Sequence, residues 1–339
     1  MINSSNLINK QTRRFQRLAL LTVITVYLLI LAGGIVRGTG SGMGCPDWPT
    51  CFGRWIPPTE ESQLPPNYQE IYSAKLKGEV IFNPVKTWIE YINRLLGVLS
   101  GFLVFATLVA SVPFLHKDQS LFWGSLAAFL LIGANGWLGS RVVATELAQY
   151  MITLHLGLAI LVVFALLFVL VRSSVAEVWT QANEKLSKAL KGLLLLTMVL
   201  SLGQILLGTQ VRDALNDVVQ RIGYSQRNSW VSNLDWRFYV HRSFSLVVLG
   251  LHLGLIYQLR KVTKSRGVGQ LLIALVLIVV GEIATGIVMA YLAVPAMAQP
   301  VHLFLAILMI GLQFVIWMLF HSSLILPTRV PDHARLQKI

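Results

Sequence analysis

His155-Leu156-Gly157-Leu158-Ala159-Ile160 returns as His302-Leu303-Phe304-Leu305-Ala306-Ile307, five of six residues matching at an offset of 147. Self-similarity at a fixed offset signals a duplicated unit. Working outward from this pair, an offset of 148 sets Asn93-Arg94 over His241-Arg242. Asn135 falls over Glu282 at offset 147, and Val36-Arg37 meets Val211-Arg212. The chain reads as two related halves, 1–180 and 181–339, with polar residues at corresponding places in apolar surroundings.

Those surroundings decide the class. Of 339 residues, 55% are hydrophobic and 13% charged, and the mean hydropathy is +0.66. This is too apolar for a soluble globular protein. About 20 apolar residues cross the hydrocarbon core as a helix, and eight stretches qualify: roughly 16–36, 89–115, 120–140, 150–172, 189–210, 237–259, 268–291 and 300–326. The predicted fold class is an all-α integral membrane protein with eight transmembrane helices in two pseudo-symmetric four-helix bundles. Tandem halves of like orientation place the axis along the membrane normal.

The net charge is +13. The basic residues form no patch interleaved with aromatics, which argues against nucleic acid as a partner, and they gather at the ends of apolar spans. Lys10, Arg13, Arg14 and Arg17 precede span one; Lys117 lies between spans two and three; Arg172, Lys185, Lys188 and Lys191 surround the four-to-five connection. Arg260, Lys261, Lys264 and Arg266 fill the six-to-seven connection, and Arg329, Arg335 and Lys338 follow span eight. By the positive-inside rule both termini are expected in the cytoplasm, with segments 37–87 and 211–236 facing outward and the chain as a whole partnered by membrane lipid. Neither a signal peptide nor a transit peptide is evident, so span one is expected to be retained.

Spans two, four, six and eight then run from outside to inside. Asn93, His155, His241 and His302 share one level, about 7–8 Å below the outer surface at 1.5 Å per residue. Two histidines facing each other between helices are the usual protein ligands of a b-type heme, and His241 with His302 supplies that pair. Arg242, Arg212 and Arg237 lie at the outer end, where guanidinium groups pair with propionates; Arg37, Arg94 and Arg141 occupy comparable places in the amino half. Glu90, one turn from Asn93, reads either as an ion-pair partner of Arg94 or Lys86, or as an acid, a base or a stabiliser of positive charge on a substrate. Glu282 is deeper, has no partner in its own segment, and calls for a hydrogen-bonded or neutral state. His252 lies on nearly the same face as His241 and reads more simply as packing than as a second cofactor site. His116, His321 and His333 lie near cytoplasmic ends, where solvation accounts for them.

Both cysteines, Cys45 and Cys51, fall in the first outward segment, within Gly40-Ser41-Gly42-Met43-Gly44-Cys45-Pro46-Asp47-Trp48-Pro49-Thr50-Cys51. An oxidising compartment favours a disulfide, read as a structural staple or as a redox-active pair. Two cysteines without a neighbouring histidine are too few for structural zinc. The polar stretch Pro57 to Lys86 suggests no chemistry of its own.

The run Gly33-Gly34-Ile35-Val36-Arg37-Gly38-Thr39-Gly40-Ser41-Gly42, the paired cysteines, Glu90 ahead of Arg94, and His155, His241-Arg242 and His302 together resemble the heme A synthase family, from span one to span eight. The resemblance implies an oxidoreductase of cytochrome oxidase assembly that converts heme O to heme A by successive hydroxylation of a ring methyl. It implies a heme b cofactor with iron held by His241 and His302, propionates near Arg242 and Arg212, and a substrate heme site in the amino half near His155, Asn93, Arg94 and Arg37, with Glu90 catalytic. Asn93 departs from the family, which carries histidine there in a Glu-x-x-His-Arg motif. An amide is a poor ligand for heme iron, so one coordination position is expected to be open or taken by water. The implied setting is a bacterial cytoplasmic membrane, with an external electron donor, heme O synthase, oxidase assembly proteins and a second copy of the chain as candidate partners. Two rivals stand beside this: a b-type membrane cytochrome, in which Glu90 is dispensable, and a non-catalytic heme-binding assembly factor, which Asn93 favours.

Overall fold

The computed structural model describes residues 4–73, 81–178 and 186–321. Lys185, Arg329, Arg335, Lys338, His333 and the expected end of span eight at 326 lie outside the described residues. Nine α-helices are described: α1 Ser4–Gly38, α2 Tyr68–Ser73, α3 Pro84–Ser111, α4 Gln119–Ala144, α5 Gln149–Val178, α6 Lys188–Ile222, α7 Trp236–Val262, α8 Arg266–Tyr291 and α9 Ala298–Leu319. All but α2 are long and apolar enough to cross a membrane, as the hydropathy reading expects. The chain is an all-α, multi-pass membrane protein.

Local chemistry sets the helix starts. Asn83 accepts a hydrogen bond from the Lys86 amide ahead of Pro84, Asp118 accepts one from Ser120, Ser187 from Leu190 and Asp235 from Arg237. Each satisfies an amide that the first helical turn leaves bare. Two boundaries differ from expectation. Helix α3 begins at Pro84 rather than 89, because Asn83 and Pro84 form a start signal within the polar segment. Helix α6 runs to Ile222 instead of ending near 210, because Ala214, Leu215 and Val218 keep helical spacing. They bury against Trp230, Leu234 and Val294.

Helices α1, α3, α4 and α5 pack in a closed ring, and α6, α7, α8 and α9 close a second one. The rings meet where α1 and α5 lie against α9 and α5 touches α6; Phe164 stacks on Phe314 with centroids 4.5 Å apart. A Cβ on Gly38 would lie 2.7 Å from the Ala296 carbonyl oxygen, so only glycine lets α1 approach the start of α9 this closely. The turns before α5 and α9 each contain two left-handed non-glycine residues, Glu146-Leu147 (φ 53°, 62°) and Ala293-Val294 (φ 53°, 51°). These pairs are also 147 residues apart, so the sharp turn belongs to the duplicated plan.

Candidate functional site

In the carboxyl ring, α7 and α9 lie diagonally across the bundle and bring His241 and His302 together, with ring centroids 6.5 Å apart and planes at 76°. The Nδ1 of His302 lies 2.9 Å from Thr285 Oγ1 and 3.1 Å from Glu282 Oε2. Thr285 donates its own proton to the Gly281 carbonyl at 2.8 Å, so it accepts from the imidazole. Nε2 is thereby left as the nitrogen free for a metal. A carboxylate behind a ligating imidazole fixes its tautomer and raises its basicity. The Nδ1 of His241 is buried and aimed toward the Gln204 carbonyl, short of hydrogen-bond geometry, while Gln204 Nε2 donates to the His241 carbonyl at 2.9 Å.

The amino ring repeats the arrangement with different side chains. Helices α3 and α5 are its diagonal pair and carry Asn93 and His155. The His155 Nδ1 is buried and aimed toward the Asn135 carbonyl without a hydrogen bond, and Asn93 Oδ1 and Asn135 Oδ1 are buried without partners.

One structural element escaped the sequence reading: each of these positions faces a glycine. A Cβ on Gly139 would lie 3.4 Å from His155 Cε1, one on Gly208 3.3 Å from His241 Cε1, one on Gly286 3.8 Å from His302 Cε1, and one on Gly33 3.8 Å from Asn93 Oδ1. The glycines give the rings room on the neighbouring helix. Gly139 and Gly286 share the 147 offset, and Gly33 and Gly208 share the 175 offset of Arg37 and Arg212, so the repeat already contained them. Trp88, Tyr91 and Arg94 likewise recur as Trp236, Tyr239 and Arg242 at offset 148.

Glu90 is 4% exposed and fully engaged. Its Oε1 pairs with Arg94 Nη2 at 2.5 Å, and its Oε2 accepts from the Cys45 amide at 2.8 Å. Of its two expected partners, Arg94 is the one paired. Arg94 also donates from Nη1 to the Asp47 and Thr50 carbonyls at 2.7 and 2.9 Å, and from Nη2 to the Cys45 carbonyl at 3.2 Å. Cys45 and Cys51 form a disulfide. Asp47 accepts from the Phe52 and Gly53 amides at 2.6 and 2.9 Å and from the Thr50 hydroxyl. Gly44 packs on the α3 backbone, where a Cβ would lie 2.5 Å from the Lys86 carbonyl oxygen. The stretch after Pro57, expected to be without chemistry, closes a small core: Phe52 meets Tyr68, Tyr72 and Phe82 edge to face. Burial, then the Asp47 charge, holds the Tyr72 phenol above its ordinary pKa.

The remaining arginines are distributed unevenly. Arg37 donates to Gln149 Oε1 at 2.9 Å, Gln149 donates to the Thr209 carbonyl at 2.6 Å, and Arg212 donates to the Arg37 carbonyl at 3.0 Å. Arg37 and Arg212 thus meet between the two rings, each with a buried, unpartnered Nε. Arg242 lies over the Phe238 and Tyr239 rings, Arg237 pairs with Asp213, Asp217 and Asp235, and Arg141 is exposed. His252 is fully enclosed, and its ring meets the Val248 carbonyl and Gln313 Nε2 at 2.7 and 2.6 Å. This agrees with a packing role. His116 is exposed and His321 bonds the Trp317 carbonyl.

The carboxyl pair has the donor chemistry and the spacing of two imidazoles on one iron. Two imidazole–metal bonds of about 2 Å each plus two ring radii span roughly 6 Å, close to the observed separation, and the facing glycines leave space beside the rings. The amino cleft offers one imidazole and one amide.

A family model described as cytochrome oxidase assembly protein matches residues 16–314. The heme A synthase of Shouchella clausii is 28% identical over 282 residues, covering 80% of this chain and 85% of that protein. That of Shewanella oneidensis is 29% identical over 190 residues, 56% of this chain and 54% of that one. The Nitrosomonas eutropha enzyme is 29% identical over 208 residues, 55% and 57% respectively. The match therefore spans little more than half of the Shewanella and Nitrosomonas proteins.

Proposed function

The chain belongs to the family of cytochrome oxidase assembly proteins, and from that premise we propose that it is a heme A synthase, oxidising one ring methyl of heme O to a formyl group by successive hydroxylation. The observation that carries this reading is the pair of duplicated clefts, His241 facing His302 at 6.5 Å and His155 diagonal to Asn93. The carboxyl cleft is assigned to a heme b cofactor and the amino cleft to the heme O substrate. Bound heme supplies the redox chemistry; the protein supplies orientation, a dry pocket and charge.

Each protein group then has a task. Thr285 and Glu282 hold the His302 ring in one tautomer. Arg37 and Arg212, at the outer end between the rings, and Arg242, above the carboxyl cleft, are available to propionates. Arg94, with both terminal nitrogens engaged, instead fastens the disulfide loop over the amino cleft. Glu90 sets a carboxylate one turn above Asn93, where it stabilises positive charge developing on substrate; acting as a base would require exchange of its bond to Arg94 or to Cys45. The distribution of Lys and Arg supports cytoplasmic termini in a bacterial cytoplasmic membrane. The oxidation draws electrons from an external donor, and heme O synthase, oxidase assembly proteins and a second copy of the chain remain the proposed partners.

Expression with a heme O source followed by pigment extraction tests the assignment. Heme A is expected with the wild type and absent with Glu90→Ala and His155→Ala. Heme O left unconverted by the wild type overturns the enzyme reading in favour of a cytochrome or a heme carrier.

A further inference from the structure

We propose that the Asn93 side of the amino cleft is an open coordination face that admits a small diatomic ligand, with the Asn93 amide as its hydrogen-bonding partner. The inference rests on the reading of that cleft as a heme site held by His155, and it deepens that reading.

Register carries the first step. Asn93 stands where the second copy of the motif has His241, within matching Trp-x-x-Tyr-x-x-Arg frames, Trp88 to Arg94 and Trp236 to Arg242. The backbone setting of an axial ligand is therefore present and the imidazole is not. The facing glycine is kept as well, Gly33 opposite Asn93 and Gly208 opposite His241. A space that takes an imidazole in one ring holds a shorter amide in the other, and room is left at its tip.

Chemistry carries the second step. Iron in a porphyrin favours imidazole nitrogen, whereas amide oxygen suits harder ions. His155 thus holds the iron from one side, and Asn93 leaves the other side to a ligand from outside the chain. Asn93 Oδ1 is buried and lacks a partner, as does Asn135 Oδ1 on the neighbouring helix α4. An unsatisfied amide oxygen calls for a donor such as water, and the same side chain turned about its Cβ–Cγ bond presents N–H groups in its place. A side-chain amide also has N–H groups to donate, the feature of a distal pocket that favours a bound dipolar diatomic.

The test uses detergent-solubilised full-length protein loaded with protoheme, reduced with dithionite and exposed to carbon monoxide. The wild type is expected to bind carbon monoxide in proportion to the heme that His155→Ala loses. Asn93→His should abolish that binding and give a six-coordinate, low-spin spectrum. Asn93→Leu, of similar size, should still bind but with the C–O stretch shifted to higher wavenumber, because no amide donates to the ligand. A wild type that loses heme in His155→Ala yet does not bind carbon monoxide overturns the open face and leaves the heme reading standing. Heme content unchanged in His155→Ala overturns the heme reading and this inference with it. An unshifted stretch in Asn93→Leu overturns the role given to the amide.

Discussion

The two helix rings share their order of packing, their facing glycines and their left-handed turns, and diverge in polar side chains at three levels. At the ligand level the carboxyl ring has His241 and His302 backed by Glu282 and Thr285; the amino ring has Asn93 and His155, with Asn135 and Leu138 at the backing positions. One turn above, Glu90 anchors the disulfide loop where the carboxyl ring has Phe238. Some 16 Å deeper at 1.5 Å per residue, the carboxyl ring encloses His252, Gln313 and Ser201, where the amino ring has Val104, Leu166 and Val26, all buried. The difference teaches that the clefts are the inherited architecture and the side chains set into them divide the labour. Under the proposed function, one ring would retain a planar group from both sides and the other would hold one from a single side beneath the disulfide loop.

The largest expected effect is on bound heme. His241→Ala and His302→Ala should each empty the carboxyl cleft, whereas Asn93→Ala should change heme content little, as read by pyridine-hemochrome per polypeptide. Equal losses in Asn93→Ala and His241→Ala would make the rings equivalent and break the comparison. Next in size is the loop anchor. Arg94→Ala strands the buried Glu90 carboxylate, and removing one partner of a buried pair costs about 3–5 kcal/mol. The expected outcome is a lowered unfolding midpoint and rapid proteolysis between Cys51 and Pro84. Phe238→Ala, at the corresponding place, removes only half-buried apolar surface, about 1–2 kcal/mol, and should leave that loop protected.

Much of this was legible in the sequence for plain reasons. Eight apolar stretches announce themselves because lipid tolerates few alternatives to a helix, and two cysteines in one short outer turn leave a single intrachain pairing. The outer end of α6 was not legible from hydropathy because Arg212, Asp213, Asn216, Asp217, Gln220 and Arg221 dilute it, although Ala214, Leu215 and Val218 hold the helical spacing. The engagement of Arg94 by the Asp47, Thr50 and Cys45 carbonyls depends on how the loop folds back, which no offset encodes. The facing glycines were within reach of the same offsets that paired the histidines. They stayed unread because a glycine in an apolar helix is usually tolerated rather than required.

The smallest effect isolates the deepest difference. His252 accepts from Gln313 Nε2 at 2.6 Å while its Nδ1–H donates to the Val248 carbonyl, and the same Gln313 amide donates to Ser201 Oγ at 3.2 Å. His252→Val alone removes one acceptor and leaves a buried amide short of a partner, which costs roughly 1–3 kcal/mol. The triple change His252→Val, Gln313→Leu and Ser201→Val installs the residues that already fill the amino ring at these positions. Interhelical hydrogen bonds in membranes contribute only about 0.6 kcal/mol each, so the triple variant should unfold within about 1 kcal/mol of the wild type and above the single variant. Thermal unfolding of both in detergent decides it. Recovery in the triple variant means the polar cluster is an addition to a core that folds without it. A triple variant less stable than His252→Val means that the carboxyl ring depends on the cluster for its packing, and that the rings differ in their cores as well as in their clefts.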